Sequence, residues 1–316
     1  MQSISRRGFV ISAATAGAVF GLDRPLEFVG RAFAQQAGGP DVVKFKVGDI
    51  EVIQMYDGTW EKAHDPGFVR NASLDDVKGA LKAGGLTDAY VPVPFTVTAV
   101  RMGGNLVLFD SGTGAQLAPT AGNITKNNLW QAAGIDPAEV TNIVITHFHG
   151  DHITGLMAKE TNAPIFPKAQ IHVPAAEYKF WTDPSVSAGA AKRIQAVFPG
   201  WKNIRQYDGE IEVLPGVRAV STPGHTPGHA SYHVSSGGQQ LMVLGDVTNT
   251  RALNMKNPGW HLVFDADPNL AEANRRKMFD RLVADKVVAT GYHWGMPGAG
   301  TVAKDGNGYA LVPVKA

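Results

Sequence analysis

Residues 146–155 read THFHGDHITG, placing His147, His149, Asp151 and His152 within six consecutive positions. Side chains that titrate, repel when charged and desolvate badly gain nothing from being crowded unless a cation collects them. The cluster follows a short apolar strand predicted at Asn142–Thr146 and precedes a predicted helix. Open α/β sheets bind their ligands at the carboxyl ends of strands. A chain carrying such a cluster must therefore fold so that a buried strand ends in a metal-type site.

Other predicted strand ends repeat the pattern. Val217–Ser221 runs into TPGHTPGH with His225 and His229, Gln240–Leu244 into Gly245-Asp246, and Val287–Thr290 into Gly291-Tyr292-His293. With no cysteine in the chain, any zinc site must use imidazole nitrogen and carboxylate oxygen. The set His147, His149, Asp151, His152, His225, Asp246 and His293 exceeds the capacity of one tetrahedral ion. Two cations about 3.5–4 Å apart, sharing a carboxylate and a hydroxide, would use all seven.

The rest of the chain bounds the setting. Its 316 residues are 44% hydrophobic and 18% charged, enough to bury a large core, and the formal charge of +1 gives no reason to expect nucleic acid or an anionic membrane as partner. Arg6-Arg7 precedes the mildly apolar run ISAATAGAVFGL, too short to serve as a membrane anchor. Ala32-Phe33-Ala34 follows as a cleavage site, so residues 1–34 look like a twin-arginine export signal. The expected mature protein is periplasmic or secreted, with the twin-arginine export machinery as a transient partner. Residues 35–41 read as a linker.

From residue 42 onward, strands are predicted at Val42–Lys46, Ile50–Met55, Tyr90–Arg101 and Asn105–Phe109, besides those already named. Helices are predicted from Ser73, at Leu129–Gly134, Ala175–Trp181, Ala188–Val197 and Pro268–Lys286. Two strand-rich regions, each followed by helices and divided by no linker, make residues 42–316 one α/β domain built from two similar halves.

HFHGDH resembles the HxHxDH signature of the metallo-β-lactamase superfamily, and TPGHTPGH, LGD and TGYH follow in that family's order. VITHFHGDHITGLM, EYKFW, PGHTPGHASYHV and GYALVPV resemble the methyl parathion hydrolase and lactonase-like branch. The resemblance implies a four-layer αββα sandwich. It implies that His147, His149 and His225 hold one metal, that Asp151, His152 and His293 hold the other, and that Asp246 bridges them. Zinc is the default ion, with iron, cobalt and manganese as alternatives. Asp151 and Asp246 become the catalytic carboxylates, the former also orienting the attacking hydroxide. Lactonases of this type typically carry a tyrosine three residues after the bridging aspartate, where this chain has Asn249.

The implied activity is hydrolysis of small apolar lactones, aryl esters or organophosphate triesters. No G-x-S-x-G elbow offers a serine nucleophile. A periplasmic β-lactamase and a mononuclear-iron persulfide dioxygenase are the alternative readings, and a homodimer is compatible with the family. Asp110 and His229 are expected to hydrogen-bond the ligand set from behind. Trp181 and Phe148, with Asn249, are the expected substrate-pocket residues; Leu117, Phe198, Trp260 and Trp294 are further apolar candidates. His261 is the main rival to His293, whereas His64, His172 and His233 read as structural or surface residues.

Overall fold

The structure is a computed structural model that describes residues 40–314. The expected export signal and most of the linker lie outside the described residues. Among those described, no helix is long and apolar enough to cross a membrane.

Among the described residues, fourteen strands form two seven-stranded sheets, each with its strands in chain order. The first holds β1 (Val42–Val47), β2 (Ile50–Lys62), β3 (Val91–Met102), β4 (Asn105–Phe109), β5 (Asn142–Val144), β6 (Gln170–Pro174) and β7 (Ile204–Tyr207). The second holds β8 (Glu212–Leu214), β9 (Val217–Ser221), β10 (Ala230–Ser236), β11 (Gln239–Val243), β12 (Val288–Thr290), β13 (Ala299–Asp305) and β14 (Gly308–Pro313). Helices are α1 (Leu74–Ala83), α2 (Asn123–Lys126), α3 (Leu129–Ala133), α4 (Gly150–Ile153), α5 (Ala175–Thr182), α6 (Ala191–Val197) and α7 (Pro268–Asp285).

Period-two alternation divides the apolar side chains between layers. Ile50, Val52, Val100, Val107 and Phe109 of the first sheet meet Val217, Tyr232, Val234, Leu241 and Val243 of the second in one core between the sheets. On the outer face of the first sheet, Ile53, Met55, Val97 and Ile143 pack with Val77 and Leu81 of α1, Leu129 of α3 and Ile194 of α6. The outer face of the second sheet presents Met242 and Ala289 to Met278, Phe279 and Leu282 of α7. The result is the expected αββα order. It follows because central strands such as β3 and β5 are buried on both sides, so each sheet must be covered twice.

Local signals place the elements well. Ser73 caps α1, its Oγ accepting the Asp76 N–H while the Asp76 carboxylate accepts the Ser73 N–H. Strand β2 runs to Lys62, beyond the predicted Met55, because a bulge between Tyr56 and Gly58 bends it and lets pairing with β3 continue. Strands β4 and β5 are parallel, with Phe109 opposite Val144, and β11 and β12 are parallel, with Val243 opposite Thr290. Their carboxyl ends carry Asp110, the THFHGDH loop, Asp246 and His293 to one rim of the sandwich.

Candidate metal centre

Every residue of the predicted ligand set reaches that rim. His147, His149 and His225 converge, as do His147, His152 and Asp246, and Asp151, His152 and His293; within each group the ligand atoms lie within 4.8 Å of one another. His147 Nε2 is 3.0 Å from His149 Nδ1, which is 2.9 Å from His225 Nε2. Three nitrogens on one tetrahedral zinc stand about 3.3 Å apart, so this spacing needs little adjustment to chelate.

Asp246 stands between the groups. Its Oδ2 lies 2.9 Å from His293 Nε2 and 3.3 Å from His225 Nε2, while Oδ1 lies 3.3 Å from His152 Nε2. Asp151 Oδ2 lies 3.4 Å from His152 Nε2 and 3.6 Å from His293 Nε2. Two buried atoms facing this space, His152 Nε2 and Asp246 Oδ1, have no hydrogen-bond partner. Buried polar atoms left unpaired are costly, and a cation between them would satisfy both. The donor set therefore fits two divalent metal ions.

Electrostatics separates the two halves. Burial, reinforced by the neighbouring histidines, holds His147 well below the ordinary histidine pKa and His149 at about 3, so both present neutral lone pairs. At His152 and His293, burial is outweighed by Asp246 and Asp151, and both pKa values rise. Burial also works against ionisation of Asp246 and Asp151, yet the histidines hold Asp246 well below the carboxylate range and Asp151 at about 2. Metals must displace protons from the His152–His293 side, so loading there weakens as pH falls.

The far nitrogens of three ligand histidines are anchored by groups behind the centre. His152 Nδ1 donates to Asp110 Oδ2 at 2.7 Å, and Asp110 also accepts the Thr146 N–H and hydroxyl. Asp110 holds φ at 58°, a left-handed conformation costly for a non-glycine residue and tolerated here at the site. His225 Nδ1 donates to Asp265 Oδ1 at 2.9 Å, with Arg275 on the other carboxylate oxygen at 3.0 Å. His293 Nδ1 donates to the Pro94 carbonyl at 2.8 Å. Each bond fixes the tautomer that leaves Nε2 facing the centre.

His229 does not turn its Nε2 to the centre; that atom accepts the Asp246 N–H at 2.9 Å. Gly245, at φ +58°, is required there because a Cβ would lie 2.8 Å from His229 Nε2. His261 pairs with Glu272 at 2.7 Å and takes no part in the site. His64, His172 and His233 likewise lie outside the three ligand groups.

Glu177 gave no signal in the sequence beyond one acid within EYKFW. Its Oε1 accepts the Phe148 N–H at 2.9 Å and the Trp181 indole N–H at 2.6 Å; its Oε2 accepts the Thr226 hydroxyl at 2.8 Å and the Gly228 N–H at 2.9 Å. One buried carboxylate thus ties the loop carrying His147 and His149 to the loop carrying His225. A Cβ at Gly228 would lie 2.1 Å from the Glu177 nitrogen, so only glycine permits the approach.

The centre forms the floor of a cavity of ≈ 550 Å³ walled by Trp60, Val93, Phe95, Leu117, Pro119 and Phe264, with Asn249 beside Asp246. Asn249 and Leu117 therefore line the cavity as expected, while two other expectations need correction. Phe148 is fully buried and packs on Phe198 at 5.3 Å between ring centres; the residue between two inward-facing histidines points into the core. Trp181 lies behind the wall, its ring edge against His149 at 5.6 Å. Phe198 and Trp294 are also core residues, and Trp260 packs against the core.

Residues 92–292 match the metallo-beta-lactamase superfamily. An N-acyl homoserine lactonase from Bacillus sp is 29% identical over 152 residues, 48% of this chain and 55% of the lactonase. The chain thus spans about half the length of that curated relative. AidC, a dizinc quorum-quenching lactonase solved in complex with a product, superposes with a TM-score of 0.78 at 25% identity, covering 87% of this chain and 98% of AidC. The hydrolase AbOPH superposes with a TM-score of 0.78 at 23% identity over 88% of this chain and 99% of AbOPH, a likeness of fold. The chain belongs to the metallo-beta-lactamase superfamily, and its relatives there are metal-dependent hydrolases of the lactonase type.

Proposed function

We propose that this superfamily member is a dinuclear-metal hydrolase of small apolar lactones and aryl esters, with organophosphate triesters as accessory substrates. The observation that carries the reading is the seven-residue His/Asp centre at the floor of an apolar-walled cavity. His147, His149 and His225 would hold one ion, Asp151, His152 and His293 the other, and Asp246 would face both. Zinc suits the all-nitrogen and oxygen donor set. Divalent cations supply a water acidic enough to attack at neutral pH and an electrophile for a carbonyl or phosphoryl oxygen.

The chain's own residues do the rest. Trp60, Phe95 and Phe264 exclude water and bind the apolar part of the substrate. Asp151, at the cavity floor and ionised far below neutrality, accepts a hydrogen bond from the attacking water and orients it. Pro94, Asp110 and Asp265 keep three ligand histidines aimed. No residue beside the centre is arranged as a strong acid for the leaving group, which favours tethered or intrinsically good leaving groups.

The test is kcat/KM of the metal-loaded protein for an aryl lactone and an aryl phosphotriester, with metal content measured alongside. Lactone turnover ahead by orders of magnitude is the expected result. A dominant phosphotriesterase would overturn the substrate ranking, and no hydrolysis of either by protein holding two metals would overturn the reading. The proposal includes twin-arginine export with cleavage after Ala34. It predicts a mature periplasmic form starting at Gln35, lost when Arg6→Lys and Arg7→Lys are combined; unchanged export of that variant would refute it.

A further inference from the structure

Tyr292 reaches every member of the Asp151–His152–His293 group. Its hydroxyl donates to the Asp151 backbone carbonyl at 2.6 Å, and its buried ring lies over the His152 imidazole, with centres 3.9 Å apart and a tilt of 30°. Its own peptide bond leads into His293.

The first contact meets a need of the helix that carries Asp151. Helix α4 has four residues, too few to bond all of its own carbonyls. The Gly150 carbonyl accepts the Thr154 N–H and hydroxyl, and the His152 carbonyl accepts the Ser111 N–H and hydroxyl. The Gly155 N–H, which a longer helix would send to Asp151, goes to the Gly112 carbonyl at 3.0 Å. Tyr292 supplies the donor in its place. The second contact constrains what a hydrogen bond leaves free. The bond from His152 Nδ1 to Asp110 fixes one direction of the imidazole, and the ring can still turn about that line. An aromatic ring against its face stops the turn. Tyr292 is itself held, because its carbonyl accepts the Thr96 N–H at 2.9 Å on β3, the strand whose Pro94 carbonyl anchors His293.

We infer that Tyr292 is a positioning residue for the second cation: it holds Asp151 and His152 in register with His293, so that this group keeps its ion and Asp151 keeps its aim at the attacking water. The inference rests on the dinuclear-hydrolase reading and deepens it. Groups behind the ligands of a metal site set how firmly the ion is held. The contacts of Tyr292 fall on one side of the centre, so losing them separates the affinities of the two ions.

The experiment uses Tyr292→Phe, which keeps the ring and removes the hydroxyl, and Tyr292→Leu, which removes both. Chelator-treated protein is titrated with Co(II), whose visible absorption follows the two ions stepwise. Melting temperature is measured too, with kcat and KM for an aryl lactone. Phe279→Leu, a change in the core under α7, controls for general loss of stability. Second-ion affinity should fall about tenfold in Tyr292→Phe and about a hundredfold in Tyr292→Leu, with first-ion affinity within about threefold of wild type. At saturating metal, Tyr292→Phe should lower kcat with little change in KM, because Asp151 acts on the attacking water and not on substrate binding. Phe279→Leu should lower the melting temperature without separating the two affinities. Unchanged second-ion affinity, or equal weakening of both ions, overturns the inference; should Tyr292→Leu fail to fold, Tyr292→Phe alone decides. Protein that shows the expected affinities and hydrolyses no ester supports the inference while overturning the proposed activity. A single cation in fully loaded wild type overturns both.

Discussion

Replacing Glu177 by glutamine tests how the two halves of the site are held together. The change keeps volume and removes one acceptor oxygen. Phe148 N–H and the Trp181 indole can only donate, so the remaining oxygen must serve them and the new amide turns to Thr226 and Gly228. The threonine hydroxyl can rotate to accept, but the Gly228 N–H is orphaned, at about 1–3 kcal/mol. Three other bonds lose the strength given by a charged acceptor, and the lower desolvation cost of a neutral side chain offsets part of this. The net destabilisation comes to about 2–4 kcal/mol. Because Phe148 adjoins His147 and His149, and Gly228 lies between His225 and His229, the loosened loops belong to one metal group. Metal affinity there should fall about 10–100-fold, with the Asp151–His152–His293 group less affected. Urea unfolding of chelator-treated protein and stepwise metal titration measure the two effects. Stability within about 0.5 kcal/mol of wild type, together with two unchanged metal affinities, would refute the reasoning.

Trp181→Ala should lower metal retention and thermal stability more than it raises KM, because the ring packs on His149 and donates to Glu177; a changed KM with full metal content would return Trp181 to the substrate wall. Asp265→Asn leaves the buried Arg275 without its carboxylate and should cost about 3–5 kcal/mol, read as a drop in melting temperature; a drop of less than a degree would contradict the pairing. Tyr207 and Tyr232 are linked at 2.5 Å, and burial raises both phenols above the ordinary value of 10.0. Their contribution to stability is therefore complete below pH 10 and lost as pH rises through the folded-state values. Tyr207→Phe should make the alkaline loss shallower by up to about 1.4 kcal/mol per pH unit, followed by urea unfolding between pH 8 and 11; an unchanged slope would sink the assignment.

Much of the fold was legible because its signals are local. The Ser73 cap, the alternation in β3 and the apolar run of β5 each specify an element within a few residues. The residues of the centre were legible for a related reason: they follow strand ends, where the sequence itself turns from apolar to ligating. Of what supports the centre, Asp110 and His229 were legible beside the ligands, and the rest was not. Glu177, Asp265 and Arg275 bind the ligand loops and one another from 10 to 51 residues away, Glu177 also holding Trp181 four residues on, and no spacing rule marks a lone acid as a clamp. The cavity wall is hidden from the sequence for a similar reason. Phe148 lies between two ligands in sequence and Trp181 within the EYKFW stretch, yet the histidines on either side turn inward to the centre and send Phe148 to the core, and Trp181 turns to Glu177 behind the wall. Trp60, Phe95 and Phe264 form the wall from three distant segments, which only the packed sandwich brings together.

The central claim is that seven side chains from four strand ends grip two cations. Anomalous diffraction from crystals of the metal-loaded protein tests it most directly. Two peaks about 3.5–4 Å apart are expected, one within bonding distance of His147, His149 and His225 and the other of Asp151, His152 and His293, with Asp246 touching both. A single peak in fully loaded protein, or a second ion held by other residues, would contradict the account.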